Sequence, residues 1–192
     1  MKKESPKNLH EQRRESSELI ILISAEELFA RKGYHGVSMN EIAKHSEVSK
    51  GLLYHYYESK ESLLKAIFQS AFDKMASNFE ALEQFDGKDL IRYLIDQAFD
   101  FLMYQRDLQR LMIGLAVQVH DLPFVKEIAT KKMASHKLLL TSTFEELGYD
   151  DPEGEALAFG ALLDGIGLQL MVLDIDYDLP KMKEHLYLKY AL

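Results

Sequence analysis

Apolar positions along this chain recur at spacings of three and four, and period-two alternation of Val, Ile and Thr is essentially absent, so the pattern predicts an all-α protein. The first predicted helix runs from about Glu15 to Lys32, with Ile21, Leu22, Ala25, Leu28 and Phe29 as its buried stripe. Gly33 follows as the residue that can take positive φ and end it. Ser38-Met39-Asn40-Glu41 is a capping box flanked by the staple pair Val37 and Ile42, which starts a second helix ending near His45. A third, about two turns long, starts at Ser49 between the staple residues Val48 and Leu53 and reaches Tyr57. Ser59 caps a fourth helix that begins at Lys60 and continues into the seventies, with Leu63, Leu64, Ile67, Phe68, Ala71 and Phe72 on its inner face. Beyond Asp86-Gly87 the pattern lengthens, predicting helices near 88–104, 106–120, 123–147, 153–174 and 180–191, with Pro123, Pro152 and Pro180 as start markers.

The second and third helices are separated only by Ser46-Glu47-Val48, the spacing of a helix-turn-helix whose second helix enters the DNA major groove. If Leu53 and Tyr57, one turn apart, pack inward, then Lys50, Gly51, Tyr54 and His55 turn outward. A cation, a glycine, a phenol and an imidazole on one exposed face have little structural purpose. They suit contact with phosphates and base edges.

Charge changes this picture only through its distribution. The net charge of −8 is unusual for a nucleic-acid binder, but residues 1–65 are net +1 while residues 66–192 are net −9. The division read from the sequence is therefore a polar tail over 1–17, expected to be disordered, a DNA-binding head over 18–65 and an acidic helical body over 66–192. The 47% apolar and 28% charged content is globular. With no cysteine in the chain, disulfides, thiolate metal sites and cysteine nucleophiles are excluded, and a reducing cytoplasm is the expected location. Residues 1–17 lack the apolar centre of a signal peptide, and no apolar run is expected to reach the ~18 residues that span a bilayer, so no membrane partner is expected.

The stretch Gly33-Tyr34-His35-Gly36-Val37-Ser38-Met39-Asn40-Glu41-Ile42-Ala43, followed by Val48-Ser49-Lys50-Gly51-Leu52-Leu53-Tyr54-His55-Tyr56-Tyr57 and Ser59-Lys60-Glu61-Ser62-Leu63, resembles the amino-terminal domain of regulators of the tetracycline-repressor (TetR) family. The resemblance covers about residues 18–65. It implies an all-α chain in which a helix-turn-helix DNA-binding domain joins a larger helical ligand-binding and dimerisation domain. It also implies roles. Ser38 would offer its hydroxyl and amide to a phosphate, and Lys50, Gly51, Leu52 and His55 would face base edges or the groove floor. Tyr54 and Tyr56 would hydrogen-bond phosphates, and Lys60 would clamp the next one. Where relatives often carry a polar side chain, this sequence has Leu52, which suits a thymine methyl and leaves base readout to Lys50 and His55, with DNA shape supplying the remainder.

The predicted helix over 153–174 is apolar nearly all round and holds Gly160, Gly165 and Gly167, which suggests burial on two sides. The resemblance makes the last two helices a dimer bundle, so Phe159, Leu162, Leu163, Gly165, Ile166, Gly167 and Leu170 are expected at a homodimer interface. An effector pocket is expected between the helices of 88–147, with Tyr93, Phe101, Tyr104, Met112 and Met133 among its lining. His120, Asp121 and His136 fit no metal-ligand spacing, and Asp96 and Asp100 read as a solvated acidic face, so neither metal nor cofactor is expected. No phosphate loop, Ser-His-Asp order or paired-carboxylate site appears, which argues against an enzyme. The expected function is a repressor that binds palindromic double-stranded operator DNA as a dimer and is released by a small molecule. A DNA-associated factor without an effector is the alternative.

Overall fold

The computed structural model describes residues 9–82, 85–116, 118, 120, 122–173 and 177–192. Among these the chain forms α-helices and no strand: α1 (Leu9–Lys32), α2 (Met39–His45), α3 (Lys50–Tyr56), α4 (Lys60–Leu82), α5 (Gly87–Tyr104), α6 (Arg106–Ala116), α7 (Pro123–Glu146), α8 (Pro152–Leu173) and α9 (Leu179–Lys189). The chain divides into two compact units, Met1–Lys74 and Met75–Leu192, with the division inside α4.

Capping explains the short helices of the first unit. Ser38 Oγ accepts the Glu41 amide hydrogen at 3.2 Å, and Ser49 Oγ accepts that of Leu52 at 3.1 Å. Ser59 and Ser62 exchange reciprocal bonds of 3.1 Å between each backbone amide and the other's hydroxyl, a capping box with serine at both ends. α1 starts at Leu9, six residues before the predicted Glu15. Residues 9–15 contain neither proline nor glycine and are mostly good helix formers, so propensity carries the helix into the stretch expected to be a tail. Residues 1–8 of that tail, the side chain of Phe72, and Asp121 lie outside what the structure describes.

Two backbone devices bring α2 to α1 and α3 to α2. Gly36 passes so close to the end of α1 that an added Cβ would sit 2.5 Å from the Lys32 carbonyl oxygen. Between α2 and α3, Glu47 takes φ of 55°, the left-handed conformation that costs a non-glycine residue ~1–2 kcal/mol. Glu47→Gly should therefore leave the head as stable or more stable, by up to ~1 kcal/mol, whereas Glu47→Val should cost ~1–3 kcal/mol; thermal unfolding of both variants measures it.

The core of this unit gathers Ile21, Ala25, Leu28 and Phe29 of α1, Val37, Ile42 of α2, Leu53 of α3 and Leu63, Leu64 and Ile67 of α4, all buried. In the second unit, α7 packs extensively along α8, with α5, α6 and α9 completing the body. Its centre is aromatic: Phe144 lies within 5.0 Å of Tyr149, 5.8 Å of Tyr190 and 6.1 Å of Phe159, measured between ring centroids. Tyr190 also donates to Glu155 at 2.9 Å, which ties the end of α9 to the start of α8.

α8 corrects one expectation. By length and composition it is apolar enough to cross a membrane, since Gly and Ala count with Leu and Ile and acidic residues are few along it. A second correction concerns its faces. Phe159, Ile166 and Leu170 are 2, 4 and 5% exposed and Gly167 is buried, so four of the seven residues expected at a dimer interface belong to the body's own core. The reason is a close internal contact. Gln109 of α6 donates to the Gly167 carbonyl at 2.7 Å, and a Cβ on Gly167 would stand 3.0 Å from that amide and 3.2 Å from Leu102. The glycine serves packing within the chain. The opposite face, with Leu157, Leu168 and Val172, is exposed, and an added Cβ at Gly160 or Gly165 would meet nothing within 4 Å among the described residues.

Candidate nucleic-acid interface

α3 is held by one side and presents the other. Leu53 is fully buried and Tyr57, the residue that closes the helix, is buried beside it. The Tyr57 hydroxyl donates to Glu18 of α1 at 3.3 Å, and burial, reinforced by the Glu18 charge, pushes its pKa well above the usual phenol value. Lys50, Gly51, Tyr54 and His55 are all exposed, while Leu52 and Tyr56 are half-buried at the edges of that face. Tyr56 packs edge-on against His55, with ring centroids 5.6 Å apart, and tilts against Tyr57 at 6.5 Å. Tyr56 thus braces the histidine from the side.

Ser38 is exposed at the start of α2. The helix it caps is tied to α1 by an ion pair between Lys32 and Glu41, and that ammonium, with help from the Ser38 amide, holds the Glu41 carboxyl below the usual carboxylate range. His45 at the other end of α2 meets Glu27 of α1 at 3.0 Å. Such exposed pairs contribute little individually, but both act on α2 from the same neighbouring helix.

Gly51 is informative because the fold does not need it. An added Cβ would meet no atom of the chain within 4 Å, and its φ is not in the left-handed region. A glycine inside a helix costs up to ~1 kcal/mol against alanine. Among the described residues, no close contact at Gly51 offsets that cost.

Lys60 is engaged within the head. Its ammonium donates to the Tyr34 carbonyl at 2.8 Å and lies 3.5 Å from that of His35, and it stands over the Tyr34 ring at 4.7 Å from the centroid. Partial burial lowers its pKa below the usual lysine value. The side chain expected to reach a DNA phosphate is engaged with the loop between α1 and α2. Sequence reasoning missed this because the carbonyls that hold it belong to residues 26 and 25 positions away.

Of the residues expected to line an effector pocket, Met112 is half-buried on α6. Tyr104 and Met133 are 72 and 68% exposed, Tyr93 stacks on Phe85 at 4.7 Å, and Phe101 packs on the body's core. The periodicity that marked them gives a face of each helix but not which neighbour covers it. A shallow cleft in the body is lined instead by Arg106, Gln109, Arg110, Leu170 and Met171. Asp96 is not simply solvated: it pairs with Lys183 at 2.5 Å and accepts from the Tyr187 hydroxyl, joining α5 to α9. No group of three or more potential metal ligands occurs among the described residues.

Comparison with known proteins bears on this head. Residues 21–67 match the family described as bacterial regulatory proteins, tetR family. The chain is 35% identical over 94 residues to the HTH-type transcriptional activator FasR of Mycolicibacterium smegmatis, covering 48% of this chain and 43% of that one. It is 30% identical over 104 residues to the biofilm operon icaADBC HTH-type negative transcriptional regulator IcaR of Staphylococcus aureus, covering 54% and 53%. The chain thus matches about half the length of these relatives. Its fold is shared with a transcriptional regulator from Saccharomonospora viridis solved in complex with choline, with a TM-score of 0.76 at 19% identity over 91% of this chain and 96% of that one. The sequence that matches the tetR family model, residues 21–67, contains the helix-turn-helix of α2 and α3, so the resemblance read from the sequence falls on the DNA-binding head.

Proposed function

We propose that this protein is a DNA-binding transcriptional repressor that grips a palindromic operator as a homodimer and is released by a small molecule bound in its helical body. The observation that carries the reading is the outward face of α3: Lys50, Gly51, Tyr54 and His55 exposed on a helix pinned from behind by Leu53 and Tyr57. In this reading Lys50 and His55 contact base edges, Leu52 meets a thymine methyl and Gly51 lets the backbone approach the groove floor. Tyr54, Tyr56 and the Ser38 hydroxyl bind phosphates and set the register.

The dimer reading is supported by the exposed side of α8. Leu157, Leu168 and Val172 lie on one stripe, and the open space at Gly160 and Gly165 suits the close approach of a second copy of the same helix. Of the seven interface residues expected from sequence, Gly165 borders that stripe, whereas half-buried Leu162 and Leu163 pack against the body's core. Two heads related by a two-fold axis read half-sites about one helical turn, roughly 34–36 Å, apart.

Selection of bound duplexes from random DNA tests the function, and an inverted repeat is the expected product. Sedimentation at micromolar concentration should give twice the 22.1 kDa chain mass. Duplexes without a common sequence would contradict the reading, and a clean monomer would remove its two-fold geometry. Once a releasing compound is found by screening, linkage requires operator DNA to weaken that compound by the same factor by which the compound weakens the operator.

A further inference from the structure

We infer that Lys60 is a positioning residue: its ammonium is a strut that holds the loop between α1 and α2, and it acts on DNA through that loop rather than by contact. This deepens the DNA-binding reading and rests on it.

The strut can be followed bond by bond. Lys60 is the first residue of α4, anchored by the Ser59–Ser62 box and by the buried Leu63 and Leu64 behind it. Its ammonium closes on the Tyr34 carbonyl at 2.8 Å and reaches toward that of His35, while its charge lies over the Tyr34 ring. Tyr34 is itself buried, its ring 5.3 Å from Phe29 of α1. The loop therefore has an aromatic anchor on one side and a cationic one on its carbonyl side. Four residues on from Tyr34 stands Ser38, which caps α2. Gly36 lies between them with no room for a Cβ, so the segment from Tyr34 to Ser38 has little slack. Moving Lys60 away would leave the two carbonyls without their donor and loosen the segment that sets the start of α2.

The alternative is a phosphate clamp, and the two make opposite forecasts. A lysine that neutralises a phosphate contributes about one unit to the slope of log affinity against log salt, whereas a strut contributes none. A strut, unlike a clamp, shows its effect in the free protein.

The test uses the full chain with Lys60→Met, which keeps the stem and removes charge and donors, Lys60→Gln, which keeps a donor, and Lys60→Arg, which keeps both. Amide hydrogen exchange in the absence of DNA should be ~10-fold or more faster in Lys60→Met at Gly33 and Glu41, which flank the loop, with α8 amides unchanged. Lys60→Gln should be intermediate and Lys60→Arg close to wild type. Affinity for the selected duplex should fall in the same order with the salt slope unaltered. Unchanged exchange at Gly33 and Glu41 in folded Lys60→Met would overturn the strut. So would a slope lowered by about one per subunit with exchange intact, which would assign Lys60 to a phosphate. If the wild-type chain binds no duplex at all, the DNA reading fails, and the exchange comparison still decides whether Lys60 holds the loop.

Discussion

Leu53→Ala should cost the head ~2–5 kcal/mol and abolish sequence-specific DNA binding under conditions where the wild-type chain is folded. Leu53 is fully buried and is the only buried residue within the seven-residue α3. A helix that short does not hold its shape by propensity, so its orientation depends on tertiary packing. Truncating the one side chain that reaches the core leaves a cavity below α3, with Tyr57 as its remaining buried attachment. Urea unfolding followed by circular dichroism gives the loss in stability, and fluorescence anisotropy with a selected duplex gives the loss in binding. A cost below about 1 kcal/mol with full binding would show that α3 is held by something other than this contact.

Gly51→Ala should move stability and binding in opposite directions. Within the chain the added methyl meets nothing, so the head should gain up to ~1 kcal/mol from the better helix former. Against DNA the same methyl stands where the backbone of α3 must come close, and affinity for the selected duplex should drop about tenfold or more, the size of a lost base contact at ~1–3 kcal/mol. A variant more stable and equally tight in binding would mean that α3 does not approach the groove through Gly51. A less stable variant would mean that the glycine has an internal role the open space around it does not reveal.

Much of the head was legible in the sequence because its signals are local. Ser38, Ser49 and Ser59 each cap the helix that follows them, and such bonds span only three residues. The inward turn of Leu53 and Tyr57 followed from their spacing on a single helix. What is not legible depends on distant partners. Lys60 sits at the start of a helix, and its ammonium is held by carbonyls that no local pattern locates. α8 is apolar on both sides, so periodicity offers no polar stripe by which to orient it, and Phe159, Ile166, Gly167 and Leu170 turn out to face the body's own core. α1 begins earlier than the polar composition of residues 9–15 suggests, because Glu, Gln and Arg are good helix formers. Glu47 gave no warning of its positive φ, since glycine is the usual signal for that conformation.

The central claim is that the exposed face of α3 reads DNA sequence, and repeating the selection with Lys50 and His55 both replaced by alanine tests it most directly. Both side chains are exposed and neither belongs to the buried core, so the double variant should fold like the wild type. The expected result is a changed or relaxed consensus at particular positions of each half-site, with discrimination there reduced by ~1–3 kcal/mol per lost contact. Binding to a scrambled duplex should weaken by no more than the charge of Lys50 accounts for. Recovery of the same consensus at the same discrimination would contradict the account, because sequence would then be read by something other than this face of α3.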